Sequence, residues 1–320
     1  MMFISLLAVV TLMTIGYAAF STSVKITGKS KIVCKSETPS EKLMQKLTKT
    51  GSCLYIDPND TSRYVFKGGT PENYIKLGND LYRIISLEND GTIKVMKKDY
   101  VSGQAWDKAS SRTSEYCGTS AKGCKVWGSK TTTFDANGNS VTKMPIKIGE
   151  ALKEIPDKEA TLNTYLNNEW YNSLDSNVKK YIEEKYWDVG PVGYDMSSIA
   201  QNMQEASAYR WKGKIALISV VDYVKASNNS ACVSAGAYRS TSACYNNSQS
   251  HNYLTSTKQS WLLSPFSHSA ADAIWYMFST TSIRQNNASS LISFYPSFYL
   301  SSDIKLCGDG TEANPYSISE

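Results

Sequence analysis

LYRIISLENDGTIKVM, residues 81–96, decides the fold class. Leu81–Leu87 is rich in β-branched and aromatic side chains and reads as a strand. Asp90-Gly91 supplies a type I′ turn, and Thr92–Met96 returns antiparallel to the first run. Upstream, Asp57-Pro58-Asn59-Asp60 reads as a turn. Before it, Thr38 caps a short helix, Pro39 opens it and Glu41 closes a capping box, with Leu43, Met44 and Leu47 as its buried stripe. Downstream, Asp135–Asn139 (DANGN) reads as a second hairpin turn. Its glycine is misplaced for an EF-hand, and no glutamate stands at the twelfth position. Thr161–Asn172 predicts a helix with Leu162, Tyr165, Leu166 and Trp170 on one face, and Asp175–Lys185 predicts another. Lys214–Val221 has the length and apolar character of a central strand, with Asp222 capping a short helix after it. The expected fold is α+β: an N-terminal apolar helix, then a mainly antiparallel domain with a few short helices.

Residues 1–24 carry no charged side chain, and Met1–Phe20 as a helix would be about 30 Å long, enough to cross a bilayer core. Gly16-Tyr17-Ala18 before Ala19 suits signal-peptide cleavage, whereas the length suits a retained membrane anchor. The basic n-region of an export signal is absent. Lys25, Lys29, Lys31 and Lys35 follow the apolar run, where the positive-inside rule favours a cytoplasmic C-terminus; a start codon further upstream would reconcile both. The expected organisation is residues 1–20 as signal peptide or anchor, 21–62 as a stalk strand and short helix, and 63–320 as an extracellular domain. The net charge of +5 is spread along the 320 residues with no Lys/Arg run, which argues against a nucleic-acid partner.

Seven cysteines stand at 34, 53, 117, 124, 232, 244 and 307. Outside the cytoplasm they are expected to pair. Local pairing suggests Cys34–Cys53, Cys117–Cys124 and Cys232–Cys244, leaving Cys307 alone, although spacing does not fix connectivity. No CxxC occurs and only two histidines are present, so no metal or other cofactor is expected.

IGYAAFSTSVKITGKSKI (15–32) resembles the leader and first strand of exported proteins carrying extracellular domains of unknown function in Gram-positive-type bacteria. RYVFKGGTPENYIKLGNDLYRIISLENDGTIKVM (63–96) resembles that domain's entry, with Tyr82 where a tryptophan is usual. WKGKIALISVVDYVKA (211–226), SWLLSP (260–265) and GDGTEANPY (308–316) resemble its later landmarks in the same order. This landmark order is in turn similar to distant C-type-lectin-like and formylglycine-generating-enzyme-like domains. The resemblance implies a C-type-lectin-like fold. It departs at SFYPSFYL, where Ser293, Phe294 and Tyr295 replace the usual Gly-Val-Arg before Pro296.

Catalysis finds little footing. The only histidines, His251 and His268, lie in Ser/Asn-rich sequence, no carboxylate pair is selected by spacing, and no Gly-rich phosphate loop follows a strand. Recognition is better supported, because residues 227–302 are dense in Ser, Asn and Tyr, the residue types of adaptable binding loops. The candidate face is Tyr238, Tyr245, Asn246, Asn247, His251, Tyr253, Arg284, Asn286, Asn287, Phe294 and Tyr295. Trp261 and Trp275 read as core. The expected role is non-catalytic recognition or adhesion at the cell surface, of a protein or glycan. A structural part of a surface filament or envelope assembly is the alternative, and an enzyme built from distant residues the third.

Overall fold

Strand Asp80–Leu87 runs antiparallel to Ile93–Lys97, with Ile84 opposite Val95 and Leu87 opposite Ile93. The turn between them is not type I′. Gly91 alone has a positive φ (81°), Gly91 N–H donates to the Glu88 carbonyl, and Glu88 N–H closes on Thr92. This is a type I turn followed by a left-handed glycine, so Asp90 keeps an ordinary backbone and its carboxylate accepts from the Thr92 N–H instead.

The computed structural model describes residues 35–47, 49, 51, 53–108, 112–118, 122–193, 199–230, 232–234, 237–238, 249–267, 271–279 and 282–319. Lys35–Glu320 is a single compact unit, which therefore takes in residues 35–62 as well as the stretch from 63 onward. In the largest sheet, Ile182–Glu183, Ser297–Leu300, Ile93–Lys97, Asp80–Leu87, Tyr74–Leu77, Tyr316–Ile318 and Leu306–Cys307 lie side by side. The hairpin Leu54–Asp57/Asp60–Phe66 joins through Tyr64 and Val65. A five-stranded sheet orders Ser282–Asn287, Ala273–Ser279, Ser260–Pro265, Leu291–Phe294 and Val101–Ala105, and a three-stranded one orders Lys185–Asp188, Tyr209–Gly213 and Thr133–Asp135. Among the described residues two strand pairings are parallel, Tyr316–Ile318 on Tyr74–Leu77 and Ser260–Pro265 on Leu291–Phe294.

The principal core joins these sheets. Trp106, Trp127 and Trp211 stack in a chain with ring centroids 5.0 and 6.1 Å apart, and all three are buried. Phe298 is fully buried between Tyr82 and Trp170. Each such side chain contributes about 1.5–3 kcal/mol by leaving water. Trp261 and Trp275 are buried at 1% and 0% exposure and belong to the core as expected.

The α+β reading with a single N-terminal apolar helix is corrected. Of the described residues 38% are in strands and 15% in helices, so this part of the chain is mainly β. Among the described residues no helix is long and apolar enough to cross a membrane, and the apolar N-terminal segment lies outside them. Among the described residues the longest helical run is 161–173, whose middle, Leu166–Trp170, widens to π geometry. There Asn167 leaves the helix pattern to pair with the N–H and carbonyl of Ile215. Asp175 does cap a helix, but it ends at Lys179. Ile182–Glu183 and Lys185–Asp188 are strands, because Ile182 and Trp187 are needed in the core on opposite strands' terms. Lys214–Val221 shortens to a two-residue strand, Ile215–Ala216, since Ser219 and Asp222 form a capping box that starts a helix at Val220. The Thr38/Pro39/Glu41 helix start and the Asp135–Asn139 hairpin turn stand as read. In the latter the Asp135 carboxylate accepts from the backbone N–H groups of Asn137 and Asn139.

Cys117–Cys124 is a disulfide. Two of the cysteine expectations are corrected: Cys53 is a free thiol, which removes a Cys34–Cys53 bridge, and Cys307 is disulfide-bonded rather than alone. Cys232 is also disulfide-bonded, while Cys34 and Cys244 lie outside the described residues.

Lys125 is fully buried and donates 2.7 Å to the Phe266 carbonyl. Burial pushes its pKa down to about 7, against the opposing pull of Asp272 and Glu150. The unfolded chain holds this proton to higher pH than the folded one, so folding is penalised in full below about pH 7 and stability recovers as pH rises toward the ordinary lysine range. Lys125→Met is therefore expected to stabilise the domain at about pH 6 by roughly 1–4 kcal/mol, with the gain shrinking by about pH 9.5. Urea unfolding at both pH values checks this, and a difference independent of pH would refute it.

Candidate functional site

The charged residues of the apolar strands converge on one place. Arg63, Lys94 and Asp222 come from Asp60–Phe66, Ile93–Lys97 and the helix Val220–Lys225, and all three are buried or nearly so. The Asp222 carboxylate accepts from Lys94 Nζ at 2.6 Å, from Ser219 N–H at 2.8 Å, from Ser219 Oγ at 3.0 Å and from Arg63 Nη2 at 3.4 Å. Arg63 also donates through Nε to Glu88 at 3.1 Å and through Nη2 to Ser86 Oγ at 3.0 Å, and its Nη1 lies 3.6 Å from Asp57. Asp57 is paired in turn with Lys225, both out of contact with solvent.

At Asp222 and Arg63 burial disfavours the charge, yet the partners win. Lys94 and Arg63 hold the Asp222 carboxyl well below the usual carboxylate range. Glu88 and Asp222, with smaller help from Tyr299 and Asp57, hold the Arg63 guanidinium above its ordinary value. Lys94 also lies over the Trp187 ring at 4.9 Å, and Trp187 packs edge-on against Tyr299 at 4.8 Å. Tyr299, enclosed among Glu88 and Asp222, has its hydroxyl raised well above the ordinary range by burial first and by those carboxylates second.

Above this floor opens a cleft of about 520 Å³. Its rim carries three ion pairs: Lys185 with Asp90, Lys212 with Glu184 at 3.1 Å, and Arg210 with Asp188 at 3.5 Å. The strand pairing sets them out, because Lys185–Asp188 runs antiparallel to Tyr209–Gly213 and places Asp188 opposite Arg210. The type I turn at Glu88–Gly91 brings Asp90 to the other wall. Tyr186 stands at the rim, 45% exposed, edge-on to Phe134. Asp188 is half-exposed at the mouth, yet its carboxyl is raised by the surrounding protein, against the pull of Arg210, Lys94 and Arg63. The cleft is lined by five cationic side chains and six carboxylates, so it is polar throughout but close to neutral. No group of metal-ligating side chains occurs among the described residues.

None of the expected residues that are described lines this cleft. Tyr245, Asn246 and Asn247 lie outside the described residues, and the backbone of Tyr238 pairs with Val233. His251 is exposed, with Nδ1 2.9 Å from Asn228 Oδ1. Tyr253 stacks over Arg83 at 4.8 Å, and Tyr295 shares a hydrogen bond with Ser256 Oγ at 2.7 Å. Arg284 lies on the edge strand against Phe278 at 3.9 Å. Asn286 Oδ1 accepts from the Asn287 N–H and the Ser290 hydroxyl, which closes a turn. Phe294 is fully buried against Tyr165, a core residue and not a ligand contact. These side chains serve separate local contacts. The signal that marks the cleft was a different one: Arg63, Lys94 and Asp222 are single charges inside apolar runs (RYVF, IKVM, VVDYV), and such charges must find partners.

No family model, curated protein or solved structure matches this chain.

Removing the Asp222 carboxylate takes from buried Lys94 its carboxylate partner and from Arg63 one of three. Asp222→Ala is expected to cost about 3–5 kcal/mol of folding stability. A carboxyl with a depressed folded pKa stabilises above its unfolded pKa and loses that contribution only as pH falls through the depressed value. The gap between wild type and variant should thus persist from about pH 7 to about pH 4 in urea unfolding. A gap that has vanished by about pH 5 contradicts this assignment.

Proposed function

We propose that the domain is a non-catalytic recognition module of the cell surface that holds a glycan in the charged cleft. The observation that carries this is the pairing of every cleft cation that reaches the rim with a carboxylate, beside an exposed tyrosine. A near-neutral wall gives no net attraction to a strongly charged ligand. It does offer donors and acceptors in fixed positions, and ionised groups make the stronger hydrogen bonds to hydroxyls. The Tyr186 ring adds an apolar face for the C–H side of a sugar ring. The concave shape and volume favour a small polar ligand over a flat protein surface.

Carboxyl groups with pKa values pushed apart, as at Asp188 and Asp222, also suit an acid/base pair. The geometry argues against hydrolysis here. Asp222 already accepts from Lys94, Arg63 and both donors of Ser219, partners that hold its carboxylate ionised and fixed in place rather than free to exchange a proton with a substrate. The work site is proposed to be outside the cytoplasm, with residues 1–20 as leader or anchor. The Cys117–Cys124 disulfide and the bonded state of Cys232 and Cys307 support an oxidising compartment.

A glycan array probed with the full-length protein is expected to give hits that Asp188→Asn and Arg210→Ala each weaken by about tenfold or more, near 1.4 kcal/mol, with melting temperature unchanged. Mass spectrometry of the bound glycan should show it intact. Array signals indifferent to both substitutions, or a cleaved glycan, would overturn the reading.

A further inference from the structure

Asp57 and Lys225 are 168 residues apart in sequence and meet in the least exposed lysine–carboxylate pair among the described residues. Asp57 ends the strand Leu54–Asp57 at the turn into Asp60–Phe66, and Lys225 ends the helix Val220–Lys225. The two side chains are 0% and 1% exposed. The Lys225 ammonium donates to Asp57 Oδ2. The other carboxyl oxygen, Oδ1, accepts from the Asn59 N–H at 3.0 Å. Arg63 Nη1 stands 3.6 Å from Oδ2, a charge contact outside hydrogen-bond reach. The backbone nearby is tied as well. Gly68 N–H donates to the Ala226 carbonyl at 2.9 Å, which holds the chain leaving the hairpin beside the end of the helix.

An ammonium and a carboxylate taken wholly out of water lose hydration that their mutual attraction only partly offsets. An amide in the same place carries no charge. Two groups held in contact also react without the entropy loss of meeting. We propose that Lys225 and Asp57 join in an intramolecular isopeptide bond that staples the first hairpin to the helix. The step balances within the pair. One ammonium proton moves to Oδ2, which leaves an amine facing a carboxylic acid. The Nζ lone pair attacks Cγ, and negative charge develops on Oδ1 against the Asn59 N–H. A second Nζ proton moves to the Oδ2 hydroxyl, the Cγ–Oδ2 bond breaks, and water leaves. Nζ keeps its third proton as the amide N–H, and Oδ1 becomes the amide carbonyl. Burial first and Arg63 second lower the pKa of Lys225, against the pull of Asp57, which favours the opening proton transfer. The Lys94–Asp222 pair does not meet these conditions. Asp222 also accepts hydrogen bonds from Arg63 and Ser219, which hold its carboxylate ionised and remove the electrophile.

Mass spectrometry of the full-length protein, denatured and fully reduced, tests this on the wild type itself. Its mass is expected to lie about 18 Da, one water, below that of its own sequence. After alkylation and trypsin digestion, residues 50–63 should appear joined to residues 215–239, because acylation of Lys225 blocks cleavage there. Lys225→Arg keeps a cation beside Asp57 but has no amine to acylate. It should show its full mass and release residues 50–63 unlinked. A wild-type protein at full mass, a link between other residues, or a water loss that persists in Lys225→Arg would overturn the proposal.

Discussion

Asp222 holds the largest sheet to the helix that follows Ser219. It is 4% exposed and stands at the third position of that helix, where it caps the backbone N–H of Ser219 and binds two cations from two different strands. A carboxylate buried alone would be too costly to keep ionised. Four donors make it tolerable: two come from Ser219 at the head of its own helix, and Lys94 and Arg63 from two different strands of the sheet. Lys94 reaches it only because the register sets Lys94 beside Ser86 on the neighbouring strand. Arg63 reaches it because the first hairpin pairs Val65 with Ser86. A shift of one residue in either pairing would turn a cation to the opposite face and strand Asp222. The cluster thereby ties register to helix position. Such specificity is a better attested use of buried charge than net stabilisation.

The cleft inherits its properties from this arrangement. Its floor cannot be apolar, because the ion cluster is its floor. Its rim carries no strong net charge, because the strand pairing sets Asp188 opposite Arg210, while Asp90 and Glu184 pair with Lys185 and Lys212. What is left exposed is a set of paired side chains, with Tyr186 as the largest apolar surface among them. The site is the upper side of the same interaction that orders the strands.

The local structure was largely legible. The first helix was announced by Thr38, Pro39 and Glu41, the central hairpin by its β-branched runs, and the long helix by Leu162, Leu166 and Trp170. Readings failed where tertiary partners decide. Asn167 widens its helix because Ile215 offers backbone groups to pair with, and Asp175 starts a helix that Ile182 cannot continue, being committed to pair with Leu300. The site was less legible than the fold. Composition drew attention to Ser, Asn and Tyr between 227 and 302, yet composition does not tell a solvated turn such as Asn286–Ser290 from a binding loop. The informative residues were charges out of place in apolar runs, whose partners lie far apart in sequence. Arg63 and Asp222 are 159 residues apart.

The cleft's cations and carboxylates already hold one another in place. A polar ligand entering it exchanges water for fixed dipoles and orders few side chains that were not ordered before, which keeps the entropic cost of binding low. The same pairing limits strength, since any strongly charged group must compete with a partner already bound. Balanced charge of this kind selects for shape and hydroxyl pattern rather than for sign.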